Sequence, residues 1–152
     1  MFNGAIVIEP IGHVRNDVGG GKVDSWKGIE SKVVLKEQFE PLLDGIEDFS
    51  HVVVIGWLHE VEGYAPRVHP RGRKDLPEVG VFATRTPHRP NPIGVTVVKL
   101  LSRDGTTLKV SDLDFYNSTP VLDIKPLTPK YLDIADLRIP EWMRTLYGDK
   151  DP

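Results

Sequence analysis

Short runs of β-branched and apolar residues, alternating with polar ones and separated by turn-forming residues, dominate the chain from end to end. Ala5–Glu9 with its extension to Val14, Ser31–Leu35, His51–Leu58, Val79–Ala83, Gly94–Leu101, Thr107–Leu113 and Val121–Ile124 each read as a strand. Most are bounded by Gly, Pro, Asp or Asn, and such residues end a ladder. Asp104-Gly105 between two of these runs predicts a hairpin with a type I′ turn, since Asp-Gly adopts positive φ readily.

Helical periodicity is sparse. Glu37–Leu43 predicts a short helix, with Gly45 near its C-terminal end. Pro140–Tyr147 predicts another, with proline at the first helical position, Glu141 in the first turn and Gly148 as the C-cap. About seven strands, one or two short helices and no strand–helix alternation give a mainly β domain, a sandwich or a barrel. Two stretches fit neither period. Asp17–Lys27 is glycine-rich, and Glu62–Glu78 carries Pro66, Pro70 and Pro77. Irregular segments of that length in a compact domain are usually functional or disordered.

Composition narrows the class. At 152 residues, 39% hydrophobic and 27% charged, the whole chain 1–152 suits one ordinary globular domain. Absence of cysteine excludes a disulfide framework, a thiolate nucleophile and Cys-ligated metal. No apolar run approaches the roughly 20 residues of a membrane span, and the expected location is the cytoplasm. The net charge of −3 argues against nucleic acid coating the whole surface, but leaves room for one basic face.

Familiar motifs fail. Gly19-Gly20-Gly21-Lys22 has Asn16 and Val23 where a phosphate loop needs glycine and a hydroxyl residue. His59-Glu60 is followed by Gly63 where a zincin needs histidine, and GxGxxG and GxSxG are absent. His13, His51, His59, His69 and His88 are scattered without an i, i+4 pair, so no metal site is expected.

The information lies in Val81–Gly94. A strand ends near Thr84, and Pro87, Pro90 and Pro92 follow closely. Each proline fixes φ and biases its predecessor toward extended backbone, so the link loses little entropy on ordering. It displays Arg85, His88, Arg89 and Asn91 in a stiff array suited to a carboxylate or phosphate. The plain alternative is a rigid corner whose arginines form surface ion pairs.

Phe82-Ala83-Thr84-Arg85 followed by Arg89-Pro90-Asn91-Pro92-Ile93-Gly94 resembles the signature of the TsaA/TrmO family. Gly45–His51, Trp57-Leu58-His59-Glu60, Thr119–Pro126 and the opening Ile11–Arg15 are similar to that family's blocks, in order, across about residues 6–128. The resemblance implies a single-sheeted antiparallel β-barrel and a homodimer. It implies an S-adenosylmethionine-dependent enzyme that methylates N6 of threonylcarbamoyladenosine, adenosine 37 beside the tRNA anticodon. By position, the cofactor would meet His59, Glu60, Arg85, the backbone near Val95, and Ser111, Asp112, Leu113 and Asp114.

The chemistry of those residue types agrees with that assignment. A methionine carboxylate suits a guanidinium, and ribose hydroxyls suit carboxylates or backbone. Methyl transfer to nitrogen needs chiefly alignment, helped by a base, for which Glu60 and Asp114 are candidates. For RNA the candidates are Arg67, Arg71, Arg73 and Lys74, with His88, Arg89 and Asn91, and with Tyr64 placed to stack on an anticodon-loop base. The chain departs from the family's bacterial members in lacking a Pro-Arg-Gln triplet in the glycine-rich loop, where Trp26 is a candidate replacement or simply a core residue. Asn117-Ser118 and Leu127 also depart from its pattern. Three readings compete with this one: a methyltransferase on the same barrel acting on another nucleoside or small molecule, a non-catalytic RNA-binding barrel, and a metal-dependent hydrolase built on the histidines.

Overall fold

The computed structural model describes residues 4–21 and 23–148, and the chain divides into two compact units. The first comprises Met1–Val61 and Pro92–Leu127, and the second Glu62–Asn91 and Thr128–Pro152.

The first unit is a closed antiparallel barrel. Its strands are β1 (Gly12–Arg15), β2 (Glu30–Leu35), β3 (His51–Trp57), β6 (Ile93–Asp104), β7 (Thr107–Ser111) and β8 (Pro120–Pro126), in the cyclic order β1-β2-β7-β6-β3-β8. Alternation drives closure: Val14, Val33, Val52, Val54, Val98, Leu108, Val110 and Val121 point inward and are almost wholly buried. The 12-residue β6 serves two neighbours, pairing through Ile93–Lys99 with β3 and through Lys99–Asp104 with β7. A bulge between Leu100 and Ser102 re-aims the strand between these two ladders.

Several boundaries differ from the sequence reading. Strand β1 begins at Gly12, and residues 5–10 form no regular element. Ile6, Val7 and Ile8 are 76%, 88% and 54% exposed. β-Branched residues favour extended backbone, but a strand also needs a partner. The ladders from β2 and β8 extend only as far as Gly12. The β6–β7 turn has positive φ at Gly105 alone among its central pair, which fits a type II′ turn rather than type I′. Strand β7 stops at Ser111 because Asp112 adopts φ +67° and turns the chain.

The predicted helix Glu37–Leu43 is a 3-10 helix with Pro41 inside it, where the missing N–H suits short local bonding. Arg103 fastens this segment, donating to the carbonyls of Leu43 (3.0 Å) and Glu40 (3.4 Å) and to Glu47 (3.3 Å).

The second unit holds a short hairpin, β4 (Arg67–Val68) with β5 (Val79–Gly80), and the helix α1 (Glu141–Tyr147). Among its described residues Pro70, Leu76 and Val81 are buried. The predicted strand Val79–Ala83 is only two residues of strand followed by a 3-10 turn, since the Thr84 N–H and hydroxyl both donate to the Val81 carbonyl. Pro140 sits at the N-cap of α1, one position before the first helical residue, and Gly148 follows it with φ +75°. Among the described residues no helix is long and apolar enough to cross a membrane.

Candidate functional site

One end of the barrel collects most of the residues expected at a cofactor site. Strand β3 runs out into Leu58, His59 and Glu60, β6 begins at Ile93, and β7 is followed by Asp112–Tyr116. Leu113 and Phe115 are fully buried, so the exposed Asp114 between them points away from the core. The Phe115 ring covers the cross-strand pair Gly56 and Gly94: a Cβ at those positions would lie 2.7 and 2.5 Å from ring atoms. Only glycine leaves room for the ring there. The Thr96 hydroxyl donates to Asp114 Oδ1.

The glycine-rich loop is fastened to this same end at several points. Gly20 lies against the Glu60 carboxylate, where an added Cβ would be 2.6 Å from Oε2. The Tyr116 hydroxyl donates to the Gly21 carbonyl (2.5 Å), and the Trp26 and Tyr116 rings pack with centroids 5.7 Å apart. Gly28 N–H donates to Asp112 Oδ1 (2.6 Å). Asp112 also accepts from the Ser111 hydroxyl on Oδ2 (3.0 Å), and these bonds, that from Gly28 foremost, hold its pKa below the usual aspartate value. At the loop's start, Asn16 donates from its side-chain amide to Ser31 (2.9 Å) and to the Phe115 carbonyl (3.0 Å). Trp26 is half-buried against Tyr116 and is not among the buried core residues. Lys22 lies outside the described residues.

His59 Nε2 is 3.8 Å from Glu60 Oε1, and both side chains are about one third exposed, at 32% and 38%. Val95 is exposed on the outer face of β6. The structure thus assembles His59, Glu60, Val95 and Ser111–Asp114 on the first unit, while Arg85 belongs to the second. Among the described residues no group of three or more His, Asp or Glu could hold a metal ion.

Segment 62–91 of the second unit is enriched in cations. Residues 62–91 hold six Lys and Arg against three Asp and Glu, in a chain with 19 against 22 overall. Two are internally paired: Arg67 with Glu78 (3.2 Å), and Arg73 with Asp75 through Nε (3.1 Å) and a second, shorter contact. Arg71, at φ 51°, stacks its guanidinium over the Tyr147 ring at 5.0 Å. Arg89 donates to the carbonyls of Thr84 (3.4 Å) and Thr86 (3.3 Å) and lies 5.9 Å over the Phe82 ring, stiffening the proline-rich link from within. His88 Nδ1 is 3.3 Å from the Glu62 carbonyl, and Arg85 and Asn91 are exposed.

The profile of the tRNA-methyltransferase O N-terminal domain matches residues 22–134. The chain belongs to this family.

A probable S-adenosyl-L-methionine-binding protein of Pyrococcus abyssi is 42% identical over 113 residues, covering 74% of this chain and 60% of that protein. A tRNA (adenine(37)-N6)-methyltransferase of Rattus norvegicus is 36% identical over 143 residues, covering 86% of this chain and 33% of that protein. A crystal structure of TrmO from Pseudomonas aeruginosa superposes with a TM-score of 0.72 at 30% identity, covering 97% of this chain and 64% of that one. The chain therefore spans less than two thirds of the length of each.

Family membership accounts for the blocks that the sequence displays, but four residues of this barrel end escaped the sequence reading. Thr96, Phe115, Tyr116 and Gly28 act through contacts with residues 18 to 95 positions away. Gly94, inside an apolar run, does signal close approach by another group, and its cross-strand partner Gly56 carries the same signal.

Proposed function

We propose that the chain binds S-adenosylmethionine and transfers its methyl group to N6 of an adenosine in tRNA. The substrate in this reading is threonylcarbamoyladenosine at position 37, beside the anticodon. The observation that carries it is the gathering of His59, Glu60 and Ser111–Asp114 at one barrel end in a chain of the TrmO family. Relatives named for S-adenosylmethionine binding and for tRNA adenine(37)-N6 methylation support it.

The donor set fits such a cofactor. Carboxylates suit ribose hydroxyls and tolerate a sulfonium, while Leu58 and Phe115 supply an apolar floor beneath Gly94. When bound, the cofactor supplies an electrophilic methyl carbon. The chain's part is to hold a nitrogen in line with it and to exclude competing water. Asp112, with both oxygens engaged by Gly28 and Ser111, acts here by shaping the loop that borders the site. Arg85 is assigned to the methionine carboxylate, and Arg67, Arg71, Arg73, Lys74, His88, Arg89 and Asn91 to the RNA. A cytoplasmic homodimer completes the reading.

Arg85→Ala tests it directly. Calorimetry with S-adenosylmethionine is expected to show a loss of affinity of at least about tenfold, in line with a charge-assisted contact, and far larger than the effect on folding. A collapse of thermal stability with affinity retained would make Arg85 structural. Nucleoside mass analysis of tRNA after incubation then distinguishes an N6-methylated threonylcarbamoyladenosine from methylation elsewhere or from none.

A further inference from the structure

Three acids stand at the barrel end, and their surroundings separate their roles. Asp112 has both oxygens engaged, Oδ1 by the Gly28 N–H and Oδ2 by the Ser111 hydroxyl. Glu60 has one oxygen against the backbone of Gly20 and the other toward His59. Asp114 differs. Its Oδ1 accepts from the Thr96 hydroxyl, and among the described residues its Oδ2 accepts nothing. Its backbone is held on both sides by the fully buried Leu113 and Phe115, so the carboxylate is presented to solvent from a rigid base. Thr96 is equally fixed: it sits on β6 opposite Val54, one residue after Val95.

We propose that Asp114 is the base of the methyl transfer and that Thr96 is its positioning residue. This assignment rests on the methyltransferase reading above. The exocyclic nitrogen of an adenosine has its lone pair delocalised into the ring. A carboxylate oxygen accepting its N–H returns electron density to that nitrogen. As the new N–C bond forms, the C–S bond of the donor breaks and its electron pair stays on sulfur. The N–H proton passes to Asp114 Oδ2, and the carboxylic acid returns it to water. Thr96, with a single hydroxyl proton committed to Oδ1, orients the carboxylate so that Oδ2 faces outward. Asp114 also stands among the residues assigned to the cofactor, so its loss is expected to act on turnover beyond any loss of affinity, whereas loss of Thr96 is expected in turnover alone.

The test uses the full chain, unfractionated tRNA and labelled S-adenosylmethionine. With its S-adenosylmethionine affinity measured by calorimetry and the cofactor then held at saturation, Asp114→Asn is expected to transfer methyl roughly 10²- to 10⁴-fold more slowly. Thr96→Val is expected to lower kcat about tenfold at unchanged KM for tRNA, and Thr96→Ser, which keeps the hydroxyl, to restore most of the loss. Wild-type turnover in Asp114→Asn overturns the assignment. Equal turnover in Thr96→Val and Thr96→Ser, with a change in melting temperature alone, overturns the positioning role. If Asp114→Asn does not fold, the two Thr96 variants decide the matter. A wild-type chain that neither binds the cofactor nor methylates tRNA overturns the underlying reading instead, and this proposal with it.

Discussion

The ring of Phe115 rests directly on the backbone of Gly94, so closely that a methyl group there would lie 2.5 Å from the ring. This contact joins the start of β6 to the segment after β7, and so fixes Thr96 relative to Asp114. Gly94→Ala is expected to displace the ring and cost about 1–3 kcal/mol of stability, the usual range for overpacking. Chemical denaturation measures it. Because Asp114 immediately precedes Phe115 in the chain, methyl transfer should fall more than melting temperature does. A neutral Gly94→Ala would show that the ring is free to move, and that the barrel end is less rigid than its packing indicates.

Asp112 gives the loop a pH dependence. Its pKa is lowered in the folded state, chiefly by the Gly28 N–H, so its stabilising effect is complete above the unfolded aspartate pKa. That effect is lost as pH falls through the lower, folded value, a window beginning near about pH 4. Asp112→Asn should therefore be less stable than wild type at neutral pH and approach it in acid. Amide exchange at Gly28 read across that pH range follows the clasp directly. Equal acid profiles in the two proteins would mean that the bond contributes nothing in solution.

The pairing of Arg67 with Glu78 and of Arg73 with Asp75 changes what the cation run can offer to RNA. Each phosphate contacted by these arginines must displace a carboxylate already in place. Asp75→Asn is expected to raise tRNA affinity and to steepen its salt dependence by up to about 0.7–0.9 in log–log slope, one phosphate's worth. Arg73→Ala should move both in the opposite direction. Anisotropy titrations at several salt concentrations measure both quantities. Indifference of the slope to either change would place the RNA elsewhere on the surface.

Strand content and the family were legible from local pattern. The β-branched runs Val52–Ile55 and Val95–Val98 identify strands because such side chains favour extended backbone, whatever their partners. The proline-rich link was legible for the same reason, since proline restricts its own φ and its predecessor's backbone. Where the reading erred, the missing quantity was a neighbour. Ala5–Glu9 has the residues of a strand but no ladder, and Val79–Ala83 turns after two residues because Thr84 bonds back to Val81.

The site divides along the same line. Sequence determined which residue types were present: a stiff display of Arg85 and Arg89, carboxylates after β3 and β7, and a glycine-rich loop of unassigned purpose. Tertiary structure alone decided their partners. It set Arg89 to bracing its own loop, Asp112 to clasping Gly28, and Asp114 to a hydrogen bond with Thr96 that leaves one oxygen open. The physical reason is that backbone preference is a property of a few adjacent residues. What a carboxylate does depends on which donors barrel closure brings against it, and those donors lie 18 and 84 positions away in the chain.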